Sequence, residues 1–178
     1  MVSTLHKGFI NTGSRKKTTR VIIFNCTKGR SGSTFLGSML ERAASQLKIH
    51  YPGETTATLF DHAIFCTNVT YADGHFKGGM DIHTSPPAFT DLAYKDLTTH
   101  AIPTSDLEQL KTQQELASAW SALIPSFPTS SVHVLPSIEH AIDVVRSLKS
   151  GPVDVLVTGS LHLVGGVIEV AGLTGVAL

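Results

Sequence analysis

With 178 residues and a mass of 19.0 kDa, the chain fits one domain better than two, because domains cluster near roughly 100–150 residues. Hydrophobic residues at 42%, charged residues at 16% and a mean hydropathy of +0.13 exclude intrinsic disorder. Lys+Arg and Asp+Glu are 14 each, and this balance lacks the basic excess that neutralises nucleic-acid phosphates, so general nucleic-acid binding is set aside.

Residues 1–20 mix Gly, Ser, Thr and basic side chains without a period and are read as a polar lead-in, with the folded domain over 21–178. No apolar segment follows Met1, so no secretory signal is read and an intracellular chain is expected. Val21-Ile22-Ile23-Phe24-Asn25-Cys26 concentrates branched and aromatic residues between polar flanks, the pattern of a strand buried on both faces of a parallel sheet. A loop over residues 27–33 leads to Phe35, Leu36, Met39, Leu40, Ala43, Ala44 and Leu47, which recur at helical spacing and complete a βα unit.

Phe60-Asp61-His62-Ala63-Ile64-Phe65-Cys66 predicts a second strand. Residues 69–103 carry Asp73-Gly74, Gly78-Gly79 and Pro86-Pro87 without a sustained period and read as a long loop insertion. Thr104-Ser105-Asp106 offers capping side chains ahead of Leu107, Leu110, Ala117, Trp120 and Ile124, an apolar helical stripe that ends at Pro125. Val132 to Leu135 is a short strand, and Ser137 caps a helix burying Ile138, Ala141, Ile142, Val145 and Leu148. Val153 to Thr158 is the strongest strand in the sequence, and Gly159-Ser160 leads into a last helix. The alternation of strands and helices predicts an α/β fold: a three-layer, Rossmann-like, mostly parallel sheet flanked by helices.

The apolar stretches at residues 153–157 and 161–170 are short and interrupted by Asp154, His162 and Glu169, whereas a spanning helix needs about 20 mostly apolar residues. No membrane span is predicted. Cys26 and Cys66 are too few for a disulfide framework and too far apart for a zinc motif, so both read as reduced core thiols.

Ligands of open parallel sheets bind outside the carboxyl ends of the strands, and three such edges are candidates. Gly29-Arg30-Ser31-Gly32-Ser33-Thr34 has the look of a phosphate loop, but no Lys follows Gly32 and Lys28 precedes the glycines. A plain βα turn with Lys28 and Arg30 in solvent is the simpler reading. Beyond Cys66-Thr67-Asn68, the residues Asp73, His75, Asp81 and His83 have metal-ligating chemistry without a ligand spacing, and polar loops carry such residues routinely. Cys66 has no base or cation beside it in sequence that would make it a nucleophile. The third edge is Thr158-Gly159-Ser160-Leu161-His162, where the glycine permits a sharp turn and Ser160 can cap the helix or offer its hydroxyl and nearby N–H groups to a carboxylate. A capped turn and an anion site are evenly matched here. His162 is a neighbour rather than a demonstrated acid or base, and Asp143 and Asp154 have no partner acid at an established spacing.

The segment from Val155 to Val167, VLVTGSLHLVGGV, resembles the closing signature of folylpolyglutamate synthases, relatives of the Mur ligases. Ile23-Phe24-Asn25 with the loop after it, Phe60 to Cys66 with Asn68, and Val134 to Ala141 resemble further parts of that family's C-terminal domain in the same order. The resemblance spans roughly residues 20–170. It implies a Rossmann-like Mur ligase C-terminal domain belonging to an enzyme that joins glutamate to the γ-carboxyl of a folate, using ATP and Mg²⁺ through an acyl phosphate. In that family the P-loop, the Mg²⁺ ligands and the folate site lie in the N-terminal domain, and neither a P-loop nor an Asp-Gly-Ala-His segment occurs in these 178 residues. The resemblance therefore implies a C-terminal part that is inactive alone, with Ser160 as candidate glutamate-binding residue, no catalytic or metal-binding residue assigned, and a cytoplasmic or mitochondrial location. A freestanding Rossmann-like module that binds a ligand or partner is the alternative, and self-association through an uncovered sheet edge is expected of a truncated domain.

Overall fold

The structure is a computed structural model, and it describes residues 18–26, 31–50, 53–73, 110–148 and 151–177. Strands β1 (Thr19–Phe24), β2 (His62–Cys66), β3 (Val132–Leu135) and β4 (Val153–Thr158) form one parallel sheet in the order β3-β2-β1-β4. The register runs Val21 to His62 and Phe24 to Phe65 on one side of β1, and Thr19 to Val153 and Phe24 to Thr158 on the other. On the far side of β2, Ala63 pairs with Val132 and Cys66 with Leu135.

Four helices cover the sheet and make it a three-layer α/β, Rossmann-like fold: α1 (Gly32–His50), α2 (Lys111–Leu123), α3 (Ile138–Ser147) and α4 (Leu161–Val170). A short α5 (Thr174–Ala177) follows. Alternate residues of a strand point to opposite faces, and the two cores follow that parity. Ile22, Phe24, Ala63 and Phe65 pack against Leu36, Leu40, Ala43 and Leu47 of α1 and Leu116 and Trp120 of α2. Val21, Ile23, Ile64 and Cys66 pack against Ile138, Ala141 and Ile142 of α3 and Leu163 and Val167 of α4. Trp120 anchors the first core, with the rings of Phe60, Phe65 and Phe127 at 6.0, 6.1 and 5.4 Å.

Several boundaries differ from the sequence expectation. The second strand starts at His62, because the backbone N–H of Asp61 already bonds the Arg20 carbonyl outside the ladder. Helix α2 begins at Lys111 behind Leu110, a left-handed residue with φ 43° that gives no side-chain cap. The capping residues Thr104, Ser105 and Asp106, and Leu107 with them, lie outside the described residues. Ala44, expected in the stripe of α1, faces solvent. The strand with the strongest sequence signal, β4, stands at the margin of the described sheet and is only half-buried along its whole length. Its branched residues serve two half-covered faces rather than the centre of the core.

The opening of the expected insertion is bonded to the sheet's neighbours. Val69 and Thr70 carbonyls accept the first N–H groups of α3, from Ile138 at 2.8 Å and Glu139 at 2.9 Å, which satisfies donors that a helix leaves unpaired at its start. The Glu139 carboxylate accepts in turn from the Ala72 N–H, and the Tyr71 hydroxyl donates to Glu169 of α4 at 3.0 Å. Gly166 allows this packing, since a Cβ there would overlap the end of the Ile138 side chain. Residues 74–103 of the insertion and 1–17 of the lead-in lie outside the described residues.

Candidate functional site

Strand order decides where a ligand crevice forms. The chain steps from β1 to β2 to β3 in one direction with α1 and α2 on one face, and α3 then leads on the other face to β4, on the opposite side of β1. The direction of winding reverses between β1 and β4, and in open α/β sheets that reversal opens a crevice outside the carboxyl ends of the two strands. Asn25 and Cys26 follow β1 at this edge, and Gly159 and Ser160 follow β4.

Buried polar groups continue along this edge. Asn25, only 4% exposed, donates from Nδ2 to Asn68 Oδ1 at 3.0 Å and accepts at Oδ1 from Gln113 Nε2 at 3.2 Å. Gln113 Nε2 also reaches the Cys66 carbonyl at 3.5 Å. The ends of β1 and β2 and the start of α2 are thus tied by neutral amides, which hydrogen bonding satisfies without the desolvation cost of a buried charge. Thr67 donates its hydroxyl to the Pro136 carbonyl and accepts from the Val69 N–H, linking the ends of β2 and β3.

The two serines read as helix caps behave differently. Ser137 Oγ accepts from the His140 N–H at 3.3 Å and contacts His140 Nδ1 at 2.7 Å, so it caps α3 as its position predicts. Ser160 occupies the corresponding position before α4 and is 8% exposed, yet its side chain makes no capping bond, so of the two readings left open for this turn the side-chain cap is not formed. Its carbonyl still accepts from the Val164 N–H at 3.1 Å. Gly159 sets this geometry with φ 108°, and a Cβ there would overlap the Asn25 carbonyl oxygen. His162 points to solvent on the first turn of α4, beside Leu161, which is 89% exposed.

The remaining candidates divide between the described residues and the rest. Lys28, Arg30, His75, Asp81 and His83 lie outside the described residues. At the start of α1, Ser31 Oγ accepts from the Thr34 N–H at 3.3 Å and the Thr34 hydroxyl at 2.7 Å, an ordinary local cap. Asp73 is exposed, and among the described residues no group of three or more His, Cys, Asp or Glu side chains is placed to hold a metal. Asp143 pairs with Arg146 one turn on, and Asp154 stands in β4 opposite Arg20 of β1. Both thiols are free and buried. Burial pushes the Cys66 thiol up to about 12, and burial followed by the nearby Glu115 carboxylate raises Cys26, so neither has a nucleophile's thiolate character.

Gln113 is the residue that sequence reading missed. It falls in phase with Leu110, Ala117 and Trp120, and a polar side chain on a core-facing stripe is the signal that could have exposed it.

Comparison with known proteins adds a relationship to this geometry. A folylpolyglutamate synthase of Neurospora crassa is 35% identical over 157 residues, covering 85% of this chain and 24% of that protein. Folylpolyglutamate synthases of Saccharomyces cerevisiae are 27% identical over 168 residues, covering 94% of this chain and 24% of theirs. No protein-family profile matches the chain, and no solved structure matches it. Over most of its length the chain is similar to folylpolyglutamate synthases, and it spans about a quarter of the length of those it matches.

Proposed function

We propose that these residues are the C-terminal part of a folylpolyglutamate synthase-type ligase, which adds glutamate to the γ-carboxyl of folates with ATP. In that reaction the carboxylate takes the terminal phosphoryl group of ATP and releases ADP. The glutamate amine then attacks the acyl carbon, and phosphate leaves as the amide bond forms. The observation that carries the reading is the similarity along 85% of the chain to a folylpolyglutamate synthase. Supporting it is the TGS turn, which sets Ser160, a buried residue whose side chain does not cap α4, at the reversal point of the sheet.

On this reading Ser160 receives the incoming glutamate by donating its hydroxyl to a carboxylate, while the start of α4 adds N–H groups of the same polarity. ATP, Mg²⁺ and the folate are held by the remainder of the enzyme. No Gly-x4-Gly-Lys-Ser/Thr sequence occurs in the chain, and phosphoryl transfer requires the phosphates and metal to be positioned together. The 178 residues alone are inactive and associate through the β4 margin. Among the described residues no helix is long and apolar enough to cross a membrane, and folate ligation suits cytosol or mitochondrion.

The test is a chimera in which this chain replaces the matched quarter of the Neurospora crassa relative, assayed for ATP-dependent glutamate addition beside the chain alone. The chimera should be active and the chain silent. Ser160→Ala in the chimera should raise KM for glutamate about tenfold, the equivalent of a lost hydrogen bond to a charged group, and leave KM for ATP unchanged. A folded but inactive chimera would favour a freestanding Rossmann-like binding module, and an unchanged glutamate KM would remove Ser160 from the site.

A further inference from the structure

Two imidazoles stand together away from the crevice. His62 opens β2, and His133 lies in β3 directly beside Ile64. Both point to the face that carries α3 and α4, where their strand neighbours Ile64, Cys66 and Leu135 join an apolar core. His62 Nδ1 lies 3.3 Å from His133 Nε2, with the ring centroids 5.5 Å apart and the planes inclined by 33°. Both residues are half-buried, so the pair is reachable from solvent while its surroundings are fixed by the sheet.

We infer that His62 and His133 form a two-histidine binding site for a divalent transition metal of the zinc class, bridging β2 and β3. Two nitrogens bound to one zinc at about 2.05 Å with a tetrahedral angle are about 3.3 Å apart, which is the separation already present. Entry of the ion replaces the proton shared by the two rings. His62 then ligates through Nδ1 and His133 through Nε2, the ring that held the shared proton gives it to solvent and takes one up on its other nitrogen, so both imidazoles stay neutral, and water fills the other positions. Burial, and then the neighbouring His62, lowers the pKa of His133, which keeps this ring neutral and its lone pair open near neutral pH. No further His, Cys, Asp or Glu completes the set among the described residues, so the site is open and exchangeable, and imidazole ligands suit Zn²⁺ and Cu²⁺ rather than Mg²⁺.

The experiment is a titration of the intact chain with Zn²⁺, followed by NMR of the imidazole nitrogens and by calorimetry, with Mg²⁺ as comparator. His62 Nδ1 and His133 Nε2 should shift together and saturate with one equivalent, and Mg²⁺ should move neither. His62→Gln and His133→Gln should each weaken Zn²⁺ binding at least tenfold and abolish the rise in Tm that Zn²⁺ gives the unsubstituted chain. Imidazole nitrogens that stay unmoved, or variants that bind Zn²⁺ as tightly as the unsubstituted chain, would overturn the site. The NMR result needs no variant, so it decides the matter even where a substitution prevents folding.

Discussion

Gly159→Ala tests the contact on which the crevice is built. At φ 108° an L-residue is strained, at a cost of about 1–3 kcal/mol. The added methyl would also overlap the Asn25 carbonyl oxygen and stand 2.9 Å from the Phe24 ring. The carbonyl belongs to the backbone and Phe24 is fully buried, so neither moves without shifting the end of β1 away from β4. Overpacking of that kind costs about 1–3 kcal/mol, and loosening the last rung of the ladder adds about 1 kcal/mol. The expected loss is therefore about 3–7 kcal/mol, a large share of the roughly 5–15 kcal/mol that stabilises a domain. Urea unfolding followed by Trp120 fluorescence and by circular dichroism measures it, with the same slope for both proteins as the sign of a two-state comparison. A Gly159→Ala chain within about 0.5 kcal/mol of the parent, below the usual scale of such defects, would refute the close approach of Asn25 and Gly159.

Gly165→Ala should do the opposite: a Cβ there meets nothing within 4 Å inside α4, so the gain in helix propensity, about 0.5–1 kcal/mol, should appear in the same unfolding curves. Gln113→Leu leaves the buried Asn25 Oδ1 without its Gln113 donor, which should cost about 1–3 kcal/mol and speed amide exchange at residues 25 and 68 by NMR. The His133 pKa is lowered in the folded chain by burial and then by His62, so the unfolded chain binds more protons as the pH drops below the ordinary histidine value near 6.5. Its contribution to stability is complete above that pH and declines as pH falls toward the folded pKa. Denaturation curves between about pH 7 and pH 5 should show this loss, and His133→Gln should flatten it.

Much of the fold was legible because period and parity are written directly into side-chain type. The residues around Ile23 and Ile64 alternate between two cores that the structure fills from opposite faces, and Leu36, Leu40, Ala43 and Leu47 repeat at the spacing a helix needs to bury one stripe. Sheet position was not legible. A run such as Val153 to Val157 is equally apolar at the centre or the margin of a sheet, and only the pairing shows that among the described strands it neighbours β1 and no other. In the candidate site the Gly159 turn could be read, since a glycine between a strand and a helix points to an unusual backbone angle. The unlike fates of Ser137 and Ser160 could not, because a hydroxyl's choice between its own helix and other surroundings depends on side-chain orientation. Gln113 meets Asn25 across a separation of 88 residues, and neither residue carries a local mark of the other.

The place of β1 also governs how the protein is made. Its partners along β4 lie more than a hundred residues downstream, and ladder formation with them must overcome the entropy of closing that loop. Until residues 153–158 leave the ribosome, β1 has only β2 beside it among the described strands, and one edge of a strand that is buried from Val21 to Phe24 in the folded chain stays open. Synthesis stalled before that point would release a chain whose middle strand is free to recruit the same strand from a neighbour, so the yield of folded protein should depend on how quickly the ribosome covers that distance.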